Sequence, residues 1–293
     1  MKRRRSLALW SGTPQFLYET TEDFIRSRVQ SGIHTVMLGD QFLDLLIEDR
    51  KADVTLIVFH SAVGPSVETL PVFQGQGLAM VRGMNLIAIS DPSLGFADIE
   101  IGWHIGNKDL GHLKPILSPL LVHIVDALGS SRNILYGASG GGFAAAAYGD
   151  AIPEAIVMVW NPRFDLGAAP KGAFSAYAFR AHGAGKAATQ DRLMRRLMTD
   201  YGVLSQCKDG LTFDLLVFQN TGDQVFLEHQ VAPVLEFFKH DPRLFVRMEF
   251  TEVGHRGVPS RIRKKMLDPL AHRSGLRTAI SDAGFKPLES TAR

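Results

Sequence analysis

The chain has 293 residues, 45% hydrophobic and 21% charged, which supports a substantial core and excludes a mainly disordered protein. With 32 Lys and Arg against 30 Asp and Glu, no global field recruits nucleic acid or a membrane surface. The single cysteine, Cys207, excludes an intrachain disulfide framework and a cysteine-based zinc site, and no apolar run approaches the ~20 residues of a membrane span.

In chain order, the basic start Lys2-Arg3-Arg4-Arg5 is followed by the short apolar run Leu7–Trp10, well under the roughly 7–15 residues of a secretory signal. It reads as a solvated end, and the expected compartment is the cytoplasm. Strands are predicted at Thr35–Leu38, Leu43–Ile47, Val54–His60 and Asn85–Ser90. A helix follows at Leu113–Leu128, then a strand at Asn133–Tyr136, a helix at Gly141–Tyr148 and a strand at Ala155–Trp160. The interval 162–211 breaks this rhythm. It holds no clear strand, a Gly183-Ala184-Gly185 stretch and an amphipathic helix from Gln190 to Tyr201, and reads either as a lid or cap insertion or as ordinary surface helices. Strands Phe213–Gln219 and Leu244–Phe250 and helices Val225–Lys239 and Arg261–His272 complete the pattern, and the tail after Thr278 reads as loosely ordered. Continuous apolar runs such as Leu56-Ile57-Val58-Phe59 suit strands covered on both faces. Their alternation with helices predicts an α/β domain spanning residues 1–293, with a mostly parallel central sheet of about eight strands.

The sharpest local signal is Asn133-Ile134-Leu135-Tyr136-Gly137-Ala138-Ser139-Gly140-Gly141-Gly142, an apolar strand running through Gly-x-Ser-x-Gly into an alanine-rich helix. A serine on so sharp a turn needs glycines around it, because the backbone passes close to neighbouring elements. The helix that follows aims its N-terminal N–H groups at the site. A dinucleotide-binding turn fits poorly, since Ser139 stands where a second glycine must admit the pyrophosphate. No P-loop occurs, and His104 and His112 lack further ligand spacing, so neither a metal nor another cofactor is expected.

A nucleophilic serine needs a base and an orienting acid. His255 follows the last long strand in a loop flanked by Gly254 and Gly257. His182 is the second choice, whereas His229, His240 and His272 read as surface residues. Asp223 lies just beyond the strand that ends near Gln219, where its structural alternative is a helix N-cap.

Ser139, Asp223 and His255, each just past a strand and in this order, resemble the α/β-hydrolase superfamily. The resemblance implies Ser139 as nucleophile, His255 as general base and then acid, and Asp223 as its orienter. It places oxyanion donors at the Gly140 N–H and in the loop His60-Ser61-Ala62, with Ala62 preferred and Ser61 next. The pair His60-Ser61 departs from the family's His-Gly. Phe96, Trp103, Phe174 and Tyr177 are candidates to line an acyl pocket, the alternative for each being ordinary aromatic packing. The implied activity is hydrolysis of a small-molecule ester or related acyl substrate. An acyltransferase with the same residues, or a non-catalytic binding or assembly protein on this scaffold, is the alternative.

Overall fold

The computed structural model describes residues 2–288. Ten strands form one sheet: β1 Gln15–Tyr18, β2 Gly32–Leu38, β3 Gln41–Glu48, β4 Val54–Phe59, β5 Asn85–Ser90, β6 Arg132–Ala138, β7 Ile156–Trp160, β8 Asp214–Asn220, β9 Leu244–Glu249 and β10 Lys286–Pro287. Their order across the sheet is β10-β9-β8-β7-β6-β4-β5-β3-β2-β1. The expectation of a mostly parallel sheet of about eight strands is corrected to a mixed sheet of ten. β2 and β3 form a hairpin about Gly39-Asp40, with Gly39 at φ +63°, and β3–β5 and β9–β10 are also antiparallel. The block from β5 through β4, β6, β7 and β8 to β9 is parallel.

The apolar runs occupy the middle of this sheet. Every residue of β4, β5, β7 and β8 is buried. Alternate residues feed two cores, as the two-residue period of a strand requires. Ile57 and Phe59 face a core that includes Leu117 of α1 (Lys114–Leu128), Phe143 of α2 (Gly140–Ala147), Tyr177 of α3 (Gly172–His182) and Leu197 of α4 (Ala187–Tyr201). Leu56 and Val58 face the opposite core, built with Ile262 and Met266 of α5 (Ser260–His272) and Ile280 of α6 (Leu276–Asp282).

The interval 162–211 holds no strand and is helical, with α3, α4 and a short turn at Val203–Gln206. Phe174, Tyr177, Leu193, Leu197 and Tyr201 are buried in the same core as the sheet, so the interval is packed into the body rather than laid on it. The stretch beyond Thr278 is better ordered than expected: α6 runs to Asp282 and β10 pairs with β9, while residues 289–293 lie outside the described part. The basic start also departs from a solvated end. Arg3 is buried, and its guanidinium donates to the carbonyls of Val63 (2.6 Å), Val67 (3.0 Å), Gly64 (3.2 Å) and Ile99. Arg5 pairs with the buried Asp44 at 2.7 Å. No helix among the described residues is long and apolar enough to cross a membrane.

Candidate active site

The strand order reverses between β4 and β6, and a crevice outside the carboxyl ends of strands at such a point is where open α/β sheets hold ligands. Ser139 stands at this place, one residue past β6, with φ 51° and ψ −117°. A positive φ is strained for a residue with a Cβ, and the surroundings hold it there. Ser139 N–H donates to the Trp160 carbonyl at 2.9 Å, and the Ser139 carbonyl accepts from Arg163 N–H at 2.9 Å and Gly142 N–H at 3.0 Å. Glycine is required on both sides of it. A Cβ on Gly137 would lie 2.0 Å from the Gly141 carbonyl oxygen, and one on Gly141 would lie 2.3 Å from that of Phe59. α2 is buried along its whole length, and its run of glycines and alanines lets it lean onto β4, β6 and β7.

Loops from two other strand ends meet the serine. His255 Nε2 lies 2.9 Å from Ser139 Oγ, and His255 Nδ1 lies 2.5 Å from Asp223 Oδ2. In the neutral ring that fits both contacts, Nδ1–H donates to the carboxylate and Nε2 accepts from the hydroxyl. Asp223 is 2% exposed and also accepts from Phe226 N–H through Oδ1, so the N-cap and the imidazole partner are one residue. His255 is about a third exposed, its ring stacked on Phe226 with centroids 3.8 Å apart.

These loops are tied by a residue that sequence reasoning missed. Asn220, fully buried at the end of β8, donates through Nδ2 to the carbonyls of Glu252 (2.7 Å) and Gly254 (3.2 Å). Its Oδ1 accepts from Gly222 N–H and Thr251 N–H, both at 3.0 Å. Asn161, just past β7, accepts from Asn220 N–H and donates to the Arg256 carbonyl. An Asn at two successive strand ends was the available signal. Phe226 was likewise missed, although it lies only three positions after Asp223.

The loop after β4 closes the other side. Burial holds the His60 imidazole below its ordinary range despite the nearby Asp91 carboxylate. Its Nδ1 donates to the Ser61 carbonyl, and its Nε2 accepts from Asp91 N–H. Ser61 Oγ donates to the Ala138 carbonyl at 2.9 Å, and Val63 N–H donates to the Glu100 carbonyl. These bonds fix the peptide of Ala62, whose N–H takes no partner among the described residues. His60 therefore organises the loop, and the Ser61 hydroxyl anchors it to β6.

Of the four aromatic candidates, Trp103 packs against Gly140. A Cβ on Gly140 would meet Ile101 Cδ1 at 2.0 Å and Trp103 Nε1 at 3.0 Å. Phe174 and Tyr177 are buried on Trp103, and the Tyr177 hydroxyl donates to the Gly106 carbonyl. Phe96 lies elsewhere, lining a cleft of about 520 Å³ with Lys2 and Arg5. His182 sits at the end of α3 with no contact to Ser139, while His229, His240 and His272 are exposed. Another cleft, of about 280 Å³, runs between the loop after β4 and α3, its wall combining Val67, Ile101 and Ala176 with the charged Arg3, Asp98 and Arg180. Among the described residues, no group of His, Cys, Asp and Glu is arranged to hold a metal ion.

No family model matches the chain, and no curated protein matches it in sequence. Solved structures do match. The capsule O-acetyltransferase of Neisseria meningitidis serogroup A aligns over 84% of this chain and 97% of its own, with a TM-score of 0.58 and 15% identity. An S-formylglutathione hydrolase from Agrobacterium tumefaciens aligns over 85% and 99%, with a TM-score of 0.55 and 16% identity. An acetyl xylan esterase from Paenibacillus sp. R4 aligns over 82% and 88%, with a TM-score of 0.50 and 12% identity. The likeness is one of fold, and the fold is that of the α/β-hydrolases.

Proposed function

We propose that this protein is a serine hydrolase that cleaves an ester or related acyl substrate through an acyl-enzyme. The observation that carries this reading is the continuous line of contacts from Ser139 Oγ through His255 to the buried Asp223. Ser139 Oγ attacks the substrate carbonyl as His255 Nε2 takes its proton. Asp223 holds the ring in the tautomer that can accept it and stabilises the imidazolium that forms. The N–H groups of Gly140 and Ala62 receive the developing oxyanion, a type of contact whose loss costs about 10²–10³ in rate. His255 then returns the proton to the leaving group, and water attacks the acyl-Ser139 ester with His255 again as base. The cleft walled by Ile101 and Ala176 is our candidate for the acyl or leaving group, because Ile101 joins it to Gly140. Residues 162–211 serve in this reading as a fixed wall of the site.

A second reading shares every step but the last, with an alcohol in place of water as acceptor. Its support is the fold likeness over nearly the full length of an O-acetyltransferase, one structure of which is a complex with CoA. Labelling by a fluorophosphonate probe tests the common core: wild type should label, and Ser139→Ala should not. Well-folded wild type that stays unlabelled would overturn both readings and favour a non-catalytic scaffold. Partitioning of a labelled acyl group between water and added alcohols separates the two enzymes.

A further inference from the structure

A second pocket, of about 240 Å³, opens between the turn at 105–112 and helices α3 and α4, where it is lined by Lys108, His112, His182 and Arg196 with Asn107 and Leu197. Four of these side chains carry basic nitrogen, and no carboxylate lines the space. The Asp200 carboxylate reaches His112 Nε2 at 3.7 Å from outside the lining. A lining of this sign attracts an anion.

Three details describe how the cluster is partnered. The Arg196 side chain, exposed on α4, makes no hydrogen bond or ion pair among the described residues. Lys108 is exposed, and its ammonium lies 6.0 Å from the ring of Phe96, which lines the larger cleft. His182 Nε2 is buried with no hydrogen-bond partner. Burial, followed by the charges of Arg196 and His112, pushes the His182 imidazole down to about 4, which places these groups within electrostatic reach of one another. The pocket is also distinct from the triad. Tyr177 packs on Trp103 on one side, with centroids 5.4 Å apart, and on His182 on the other, at 4.9 Å, so the aromatic ring stands between the wall at Gly140 and this cluster.

We propose that this pocket binds a phosphate-type dianion, held by the Arg196 guanidinium as cation and by His182 Nε2–H and His112 as hydrogen-bond donors. Arginine offers a planar fork suited to phosphate oxygens, and a buried imidazole without a partner gains one. The space holds a phosphate group together with a few waters, at about 30 Å³ per water. The site does not depend on the hydrolase reading, and it would serve inorganic phosphate or the phosphoryl end of a larger ligand.

The test is calorimetric titration of the full chain, at fixed ionic strength, with inorganic phosphate and separately with glycerol phosphate. Saturable one-to-one binding is expected, weakened about tenfold in Arg196→Gln. It should be unchanged in Arg192→Gln, an exposed arginine on the same helix outside the lining. His182→Gln should weaken binding as well, and Arg196→Gln keeps the test decisive if that variant folds poorly. Tighter binding of glycerol phosphate would assign the site to a phosphoryl group of a larger ligand, and tighter binding of inorganic phosphate to the free anion. Absence of saturable heat with both probes, or equal weakening in Arg192→Gln, would overturn the proposal.

Discussion

The turn that carries Ser139 can be challenged by adding one carbon. In Gly137→Ala the new Cβ would stand 2.0 Å from the Gly141 carbonyl oxygen and 2.1 Å from its carbon, both backbone atoms. Side-chain contacts of this kind do not form under 3.0 Å, so β6 and α2 must separate by about 1 Å. That displacement moves Ser139 Oγ relative to His255 Nε2 and tilts the Gly140 N–H. A misplacement of about 1 Å costs roughly 10²-fold in rate, and overpacking costs about 1–3 kcal/mol in stability. Gly142→Ala is the control, since its Cβ would meet the Pro162 ring carbon at 3.0 Å and needs only a small shift. The assay is the rate of fluorophosphonate labelling beside urea unfolding of each variant. Loss of labelling in Gly137→Ala with most of it kept in Gly142→Ala is the expected result. Labelling of folded Gly137→Ala at the wild-type rate would refute the claim that this contact sets the nucleophile's position.

The remaining predictions concern the groups behind the serine. Asp223→Asn should fold with a similar melting temperature, because an amide oxygen can still cap Phe226 N–H. It should lose about 10⁴ in labelling rate through the wrong imidazole tautomer, and a loss under tenfold would exclude Asp223 as orienter. Asn220→Ala removes four hydrogen bonds from a fully buried site and should cost about 3 kcal/mol, read by urea unfolding. Ser61→Ala removes the bond to the Ala138 carbonyl and should cost about 1 kcal/mol, with slower labelling at unchanged fold. Burial holds His60 and His104 below the ordinary imidazole range, His104 further because His60 lies beside it, and His182 is pushed down to about 4. Since the unfolded chain takes up these protons first, their stabilising contribution is complete above about pH 6.5 and is lost as pH falls below it, by up to about 1.4 kcal/mol per unit for each histidine. Unfolding free energies that stay level from about pH 7 to 5 would contradict this.

The central strands were legible because burial on both faces leaves a continuous apolar run. Asn85–Ser90 matches β5 in full, and β4 differs from its prediction only at His60. The same runs carry no mark of direction, so the antiparallel neighbours of β3 were not foreseen. Only the Gly39-Asp40 turn between two strand patterns hinted at them. β1 and β10 were missed because edge strands are short and half exposed, Gln15–Tyr18 alternating with solvent and Lys286–Pro287 lying open. The three loop residues Ser139, Asp223 and His255 could be picked out because each follows a strand end beside glycine, and the structure brings them together. What local sequence could not show is which distant atoms hold them there. Asn220 reads as a plain turn residue until its four partners are seen, and the four aromatics divide between Gly140, the core and another cleft only through long-range packing.

Arg3 bears on how the site comes into being. Its guanidinium reaches the Val63 carbonyl across 60 residues and that of Ile99 across 96, and it grips the segment that continues from Ala62. Contacts spanning so much chain form only after their loops have closed, at an entropic cost that grows with span. The loop that holds Ala62 should therefore take its final shape only after the start of the chain has docked against it. Residues near the start of the chain, remote from the chemistry in sequence, then become part of its assembly. Exchange of the Val63 amide hydrogen, which bonds the Glu100 carbonyl, for deuterium would register that dependence, with protection lost in Arg3→Ala before the sheet itself weakens.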